Sequence, residues 1–174
     1  GPSLAGSGAG EAIDDHGLVL RINFPRLEGH AADVGQRTDL MLFRHATRGA
    51  FARLLARDPR WAEVPALGVR THWRDGTAEE ADVSRPTLPR AVADLVGTIT
   101  YPGPTTGFLA AVLVGLLLER PVTLYGFDFF RPGAEHHYFG ANRVAAAHEP
   151  AYERWFVTRF WPALGGAPRL AVWG

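Results

Sequence analysis

Three of the chain's seven histidines lie in one stretch, EHHYFGANRVAAAHEPAYERW, at residues 135–155. They are His136, His137 and His148, and each stands near an aromatic residue or a carboxylate. An imidazole has an unperturbed pKa of about 6.5, so it can accept a proton near neutral pH or support a phosphate. Adjacent side chains do not easily point at one ligand, so we interpret His136 as a solvent-facing neighbour. His137 and His148 are the candidates for chemistry; helix-end capping or plain exposure is the alternative for both.

Two other stretches could bind a phosphate. The turn PTTG, residues 104–107, presents hydroxyls and backbone N–H groups at the start of an apolar helix, where the helix dipole favours an anion. The opening GPSLAGSGAGEAIDDH is rich in Gly and Ser and leads into a strand, and a glycine loop can bring N–H groups close to a ligand. The second pattern is not specific by itself.

The composition excludes several other chemistries. Without Cys there is no disulfide, thiolate nucleophile or Cys–zinc site. All 18 basic residues are Arg, which excludes Schiff-base lysines and a lysine phosphate loop. The Asp-x-Asp motif that holds a divalent cation in many nucleotide-sugar enzymes is absent, and Asp14 and Asp15 have the wrong spacing. We therefore predict no metal site and no cofactor.

Length and charge narrow the class of protein further. A chain of 174 residues, 47% of them hydrophobic, suits one globular domain. The 18 acidic residues balance the 18 basic ones, which gives no electrostatic reason to expect nucleic acid as a partner. The longest apolar run, residues 107–118, is shorter than the roughly 20 residues that span a membrane, so we read it as a core helix. No signal peptide is recognisable at the start of the sequence.

Hydrophobic patterns predict strands that alternate with helices. Such alternation is typical of an α/β fold with a mostly parallel sheet and helices on both faces, which binds ligands at the carboxyl ends of its strands. The predicted strands are 17–24, 38–44, 66–73, 98–101, 121–129 and 169–174, and the main predicted helices are 46–61, 90–97, 107–120 and 148–164.

Four stretches, in this order, resemble the sialyltransferases of glycosyltransferase family 29. The chain is similar to that family's long motif, to its small motif, to its third motif and to its very small motif, His-x4-Glu. The matching residues are GSGAGEAIDDHGLVLRIN with GHAADVGQRTDL, YPGPTTGFLAAVLVGLLLERPVTLYGF, HHYF and HEPAYE. Single short patterns arise by chance, but four in the right order with compatible gaps make a joint signal that covers most of the chain.

The resemblance implies an activity and roles for residues. It implies an inverting, metal-independent transfer of sialic acid from its cytidine monophosphate (CMP) donor to a hydroxyl of an acceptor glycan. His148 would be the general base, and His137 would hydrogen-bond the donor phosphate and stabilise the departing CMP. The residues that would bind CMP are Asn23, Thr105, Thr106 and Gly107, with Ser7 as the weaker candidate.

The resemblance also implies a Rossmann-like, GT-A-like sialyltransferase fold, which we expect to form a single domain over residues 1–174. The family's first strand, with a donor-contacting Asn, should stand just before Gly1, so we expect that the sequence given lacks it. The cysteines of animal members are absent, and Phe139 and Gly140 stand where aromatic and acidic residues are usual. The absence of those cysteines suits a bacterial-type, cytoplasmic member.

Several alternatives stay open. The donor could carry another CMP-linked acid, such as a Kdo-like sugar, because the sequence does not define the sugar pocket. The chain could instead be a catalytically inactive CMP-binding module. Glu153 could anchor its helix or belong to the site. The last helix carries an aromatic cluster, Trp155, Phe156, Phe160 and Trp161, which we interpret as buried; an exposed subset could stack on an acceptor sugar or touch the inner face of a membrane.

Overall fold

The computed structural model describes residues 1–23, 25–44, 54–69, 86, 88–101, 103–129, 148–164 and 169–173. The strands are β1 Leu20–Ile22, β2 Leu40–Arg44, β3 Ala66–Val69, β4 Val122–Tyr125 and β5 Leu170–Trp173. The helices are α1 Gly10–Asp14, α2 Ala31–Val34, α3 Arg90–Ile99, α4 Thr106–Val112, α5 Pro150–Trp155 and α6 Trp161–Ala163. A π-helical turn, Leu113–Leu117, extends α4, and a second one, Phe156–Phe160, joins α5 to α6. Residues 54–57 are also helical, and short 3-10 turns lie at Pro2–Leu4 and Pro59–Ala62.

The described residues form two compact units, each assembled from separate parts of the chain. One unit contains Gly1–Asp15, Arg26–Gln36 and Gly107–Gly174, and the other contains His16–Pro25 and Arg37–Thr106. Each unit contains one parallel sheet. Our single-domain assignment for residues 1–174 stays a prediction.

The sheet of the second unit has the order β1-β2-β3, and both of its strand pairs are parallel. Strand β2 lies in the middle, with Leu40 beside Leu20 and Met41 beside Ala66. Met41, Leu42 and Phe43 are at most 1% exposed. Because consecutive side chains point to opposite faces, this continuous apolar run shows that both faces of β2 are covered.

The sheet of the first unit pairs β4 with β5 in parallel, Val122 beside Leu170. Its core lies among the helices. Trp161 is 1% exposed, and a Cβ on Gly115 would lie only 2.2 Å from the Trp161 ring, so only a glycine leaves room for the indole at this point of the π turn. The two π-helical turns therefore belong to one packed region of this unit.

One predicted strand is wrong. Residues 98–101, TITY, do not form a strand, because α3 continues through Ile99. The hydroxyl of Thr98 donates to the carbonyl of Asp94 at 2.9 Å, and the hydroxyl of Thr100 donates to the carbonyl of Val96 at 2.8 Å. These side-chain bonds to the preceding turn let threonine finish a helix despite its preference for strands. The predicted α/β class with parallel strands is confirmed.

Candidate functional site

The turn before α4 has the shape that the sequence predicted. Gly103 adopts a φ of 101°, which an L side chain rarely tolerates, and Pro104 after it is fully buried. Thr105 is half-buried, whereas Thr106 is 6% exposed and is the first residue of α4. Gly107 is also buried. The two threonines therefore lie at the N-terminus of α4. The first N–H groups of a helix have no hydrogen-bond partner within the helix itself.

The predicted helix over residues 148–164 begins at Pro150, two residues later than expected, so His148 lies before its first turn and not within it. His148 is half-buried. Proline suits the first position of a helix, because its missing N–H would have no helical partner there. The structure therefore places His148 on the short entry to a helix rather than within one.

Helix α5 leads into a residue that contacts α4. Phe156, which is 1% exposed, meets the ring of Phe108 edge to face, with 5.1 Å between the ring centroids. Such edge-to-face pairs stabilise a core beyond the area that they bury. Phe108 immediately follows Gly107, so the first turn of α4 packs against the helical segment that begins just after His148. Within the first unit, this contact packs the helix that carries Gly107 against the helical segment that follows His148.

Asn23 ends β1 in a left-handed conformation, with a φ of 55°. Its backbone N–H donates to the carbonyl of Leu42 at 2.8 Å, which extends the pairing of β1 with β2 by one residue. Asparagine is among the few side chains that tolerate this conformation. The turn thus explains Asn23 as a strand terminator and leaves its donor-binding role a prediction.

Ser7 lies in a glycine loop whose polar groups have partners within the chain. The N–H groups of Gly6 and Gly8 donate to the Asp33 carboxylate at 2.8 and 3.0 Å. The Ser7 hydroxyl donates to the Asp33 carbonyl at 3.4 Å and accepts from Ala9 N–H at 3.3 Å. The hydrogen bonds from Gly8 and then Gly6 lower the pKa of Asp33, and the nearby His30 adds to the effect. Sequence reasoning missed Asp33, since it lies 25 to 27 residues from these partners.

Two further carboxylates hold loop backbone, and neither was predicted. Both oxygens of Asp14 accept from Gln36 N–H, at 2.8 and 3.1 Å, whereas the adjacent Asp15 is exposed. Asp39 accepts from Val19 N–H at 2.7 Å and from Arg37 Nε at 3.1 Å. The Val19 bond is the larger cause of the lowered pKa of Asp39, with Arg37 second. A signal did exist in the sequence: Asp beside Gly-rich or turn residues often binds backbone N–H groups.

Arg37 completes this arrangement in the second unit. Its guanidinium donates to the carbonyls of His16 and Gly17, the latter at 3.0 Å. Arg21 Nε donates to the Arg37 carbonyl and to Thr38 Oγ1, each at 3.0 Å. These contacts hold the turn before β1 against the segment that enters β2.

The remaining predicted residues divide into described and undescribed ones. His136, His137, Phe139 and Gly140 lie outside the described residues, so the role of His137 stays a prediction. Glu153, whose role the sequence left open, is 3% exposed, and its N–H donates to the carbonyl of Glu149 within the first turn of α5. The aromatic cluster is buried only in part: Phe156 and Trp161 are in the core, whereas Trp155 is 48% and Phe160 is 38% exposed.

The described part of the chain lacks both a metal-binding cluster and a membrane-spanning helix. No group of three or more His, Cys, Asp or Glu side chains is placed there to hold a metal ion. None of the helices seen there has both the length and the apolar character to cross a membrane.

Comparisons with known proteins support the resemblance that the motifs suggested. The family model "Glycosyltransferase family 29 (sialyltransferase)" matches residues 1–92, just over half of the chain. "Sialyltransferase-like protein 2" of Oryza sativa subsp. indica is 44% identical over 69 residues, which cover 36% of this chain and 17% of that protein. "CMP-N-acetylneuraminate-beta-galactosamide-alpha-2,3-sialyltransferase 1" of Sus scrofa is 28% identical over 172 residues, which cover 83% of this chain and 48% of that protein. The chain thus spans less than half the length of either relative.

The fold has solved counterparts. A crystal structure of a mammalian sialyltransferase superimposes with a TM-score of 0.66 at 21% identity, over 99% of this chain and 65% of that one. The structure of a mammalian sialyltransferase in complex with Gal-beta-1-3GalNAc-ortho-nitrophenol gives a TM-score of 0.65 at the same identity and coverage. These relatives come from a plant and from mammals, so the expected bacterial-type origin is not borne out. The chain belongs to glycosyltransferase family 29, the sialyltransferase family.

Proposed function

We propose that this chain transfers sialic acid from CMP-sialic acid to a hydroxyl of an acceptor glycan, with inversion at the anomeric carbon and without a metal ion. Membership of the family supports the class of reaction. One observation of the structure carries the assignment of the site: the edge-to-face contact of Phe108 with Phe156 at 5.1 Å. Within the first unit, it packs the helix that carries Gly107 against the helical segment preceded by His148, which supports the proposal that both contribute to one site.

The threonine turn is the proposed site for the donor phosphate. Thr105 and Thr106 would supply hydroxyl donors, and the start of α4 would favour an anion through its first N–H groups and the positive end of the helix dipole. Gly107 has no side chain to obstruct a close approach. Asn23 is a further candidate for the nucleotide. Ser7, the weaker candidate from the sequence, is not assigned to the donor here, because its hydroxyl already has two partners in the chain.

His148 is the proposed general base. The neutral imidazole takes the proton from the acceptor hydroxyl as that oxygen attacks the anomeric carbon. The bond between the anomeric carbon and the phosphate oxygen breaks, and its electron pair leaves with CMP. Attack from the face opposite the leaving group gives inversion. His137 would donate a hydrogen bond to the departing phosphate and stabilise the charge that develops on it.

A direct assay tests the proposal. The chain is incubated with CMP-sialic acid and a panel of galactosides, and released CMP is measured together with the glycan product. His148→Ala should abolish both signals while the protein stays folded. Thr158→Ala is the matched control, since Thr158 lies exposed in the helical segment after His148 and its hydroxyl binds only the preceding turn at the Arg154 carbonyl in this structure. Transfer that persists undiminished in the His148 variant would contradict the proposed base.

The two alternatives give different results in the same assay. Turnover with CMP-Kdo and none with CMP-sialic acid would assign the other acid sugar. Binding of CMP with no turnover of either donor would indicate an inactive CMP-binding module.

Two further parts of the proposal concern conditions and location. Full transfer in the presence of a strong chelator is expected if no metal takes part, and loss of transfer that Mg²⁺ or Mn²⁺ restores would contradict this. We also propose a cytoplasmic location with peripheral contact at the inner face of a membrane, for which fractionation of cells that express the chain is the test.

A further inference from the structure

The glycine loop of residues 6–8 closes around a side chain of the same protein. The N–H of Gly6 reaches one carboxylate oxygen of Asp33 at 2.8 Å, and the N–H of Gly8 reaches the other at 3.0 Å. Both glycines are left-handed, with φ of 70° and 66°, and no atom lies within 4 Å of where a Cβ would stand on either. The glycines are therefore required by the backbone conformation that aims both N–H groups at one carboxylate, and not by lack of space.

Two converging backbone N–H groups form the kind of concavity with which proteins bind phosphate and other anions. In this chain the anion is the carboxylate of Asp33, a residue of α2, and α2 packs closely against α1. A Cβ on Gly10 would lie 2.1 Å from the Ala31 carbonyl oxygen, so the two helices approach as closely as their backbones allow. The Asp33 carboxylate is thus held rigidly at the loop, although the loop itself is exposed to solvent.

We propose that Gly6, Ser7 and Gly8 form a carboxylate-binding cradle whose ligand is the chain's own Asp33, so that this loop braces α1 against α2 and does not hold the donor phosphate. The ligand class is set by the geometry: two N–H donors, one for each oxygen of a single carboxylate. A phosphate could enter only by displacing the carboxylate that both donors already serve. The statement about the donor rests on the proposed function, whereas the cradle itself does not.

Chemical rescue tests the cradle without any measurement of activity. Asp33→Ala removes the carboxylate and should lower the melting temperature by about 5 °C, since two hydrogen bonds to a charged group are lost. Sodium acetate can then supply a carboxylate from solution, because the loop is solvent-exposed. We expect acetate to restore at least half of the lost melting temperature, relative to sodium chloride at the same ionic strength. Equal effects of acetate and chloride on this variant would overturn the proposal.

Asp33→Asn is the matched control, because its side chain still fills the space and leaves no room for acetate. It should lose stability and gain nothing from acetate. This variant also serves if Asp33→Ala does not fold. Its amide exchange with deuterium should become faster at Gly6 and Gly8 and stay unchanged at Gln36, whose N–H is bound by Asp14. Asp14→Asn should show the reverse pattern. Unchanged protection of Gly6 and Gly8 in Asp33→Asn would contradict the cradle.

A titration with CMP tests the second half of the proposal. If the cradle takes no part in donor binding, CMP should not alter the acetate concentration that half-restores Asp33→Ala. Competition between CMP and acetate, or tighter CMP binding in Asp33→Ala than in the unaltered chain, would show that the loop is a phosphate site and overturn the assignment. If the unaltered chain binds no CMP, the proposed function and the statement about the donor fail together, while the acetate result still decides the cradle.

Discussion

The loops of residues 6–39 and the helices from α4 onward are stabilised by different interactions. In the loops, carboxylates serve as backbone ligands: Asp14, Asp33 and Asp39 each accept a hydrogen bond from at least one N–H of a distant segment. In the helices, aromatic packing dominates, with Phe156 touching Phe108 at 5.1 Å and the buried Trp161 lying over Gly115. Hydrogen bonds to carboxylates hold the backbone of the loops in place, whereas the close packing of aromatic side chains holds the helices in place.

The hydrogen bonds that the loop carboxylates accept bear on whether they could take part in proton transfer. A carboxylate that already accepts two backbone hydrogen bonds is stabilised in its charged form, and it is a poor proton acceptor near neutral pH. The pKa of Asp33 is lowered by its backbone hydrogen bonds from Gly8 and Gly6, and that of Asp39 by a backbone hydrogen bond from Val19 and a side-chain hydrogen bond from Arg37. Asp33 and Asp39 are therefore poor candidates for a general base, which agrees with the proposal that His148 accepts the proton.

The first prediction concerns His148. His148→Ala should lower kcat by about 10² to 10⁴, the usual contribution of a general base, with little change in melting temperature. Transfer of sialic acid at saturating donor and acceptor is the measurement. If the variant lost activity only because it unfolds, His148 would have a structural role, and the proposed difference between the two regions would be contradicted.

The second prediction concerns the aromatic region. Trp161→Ala should reduce the free energy of unfolding by about 3 to 5 kcal/mol, because a large buried ring leaves a cavity. Trp155→Ala, six residues earlier and 48% exposed, should cost less than about 1 kcal/mol. Urea unfolding of both variants gives the comparison. Equal losses would mean that shape complementarity at Gly115 is not what positions these helices.

The third prediction concerns the threonine turn. Thr106→Val keeps the shape of the side chain and removes its hydroxyl, which should weaken CMP binding by roughly 5- to 10-fold if one net hydrogen bond of about 1 kcal/mol is lost. Thr98→Val is the control, because its exposed hydroxyl binds the preceding turn of α3. Calorimetric titration with CMP measures both. Identical affinities in the two variants would move the phosphate site away from Thr106.

The fourth prediction concerns Asp39 and pH. Its pKa is lowered in the folded protein, so its contribution to stability is complete above the unfolded pKa of about 3.9 and is lost as the pH falls through the lower folded value. Asp39→Asn should cost at most about 1 kcal/mol at neutral pH, because the group is partly exposed, and the difference from the unaltered chain should shrink below about pH 4. Melting temperatures between pH 2 and pH 7 test this window. A difference that stays constant over this range would assign the effect to shape rather than charge.

Apolar patterns in the sequence predicted most of the elements. The predicted strand over residues 38–44 contains β2, and the predicted helix starts at 107 and 148 lie within two residues of the observed starts of α4 and α5. Local side-chain chemistry is readable because its partners lie within one turn of the chain. The predicted strand at residues 98–101 was wrong, because the hydroxyls of Thr98 and Thr100 bind carbonyls of the preceding helical turn and the helix continues.

The sequence could not predict interactions between distant segments. Nothing in the order of residues pairs Asp33 with Gly6, because that pairing depends on how α1 and α2 pack. The predicted phosphate loop was plausible from its glycines alone, and only the structure shows that its N–H groups have a partner. The two π-helical turns were also unpredicted, since their extra residue per turn follows from packing and not from helix propensity.

The contact of Ser3 N–H with the Asp128 carboxylate at 3.2 Å has a consequence for biosynthesis. The two residues are separated by 125 positions, and β4 pairs with a strand that starts some 45 residues further along. The residues up to β5 must therefore leave the ribosome before this sheet can form. Until Asp128 has been synthesised, the N–H of Ser3 lacks this carboxylate, so chaperone protection during translation should affect the yield of this protein more than that of a chain whose contacts are local.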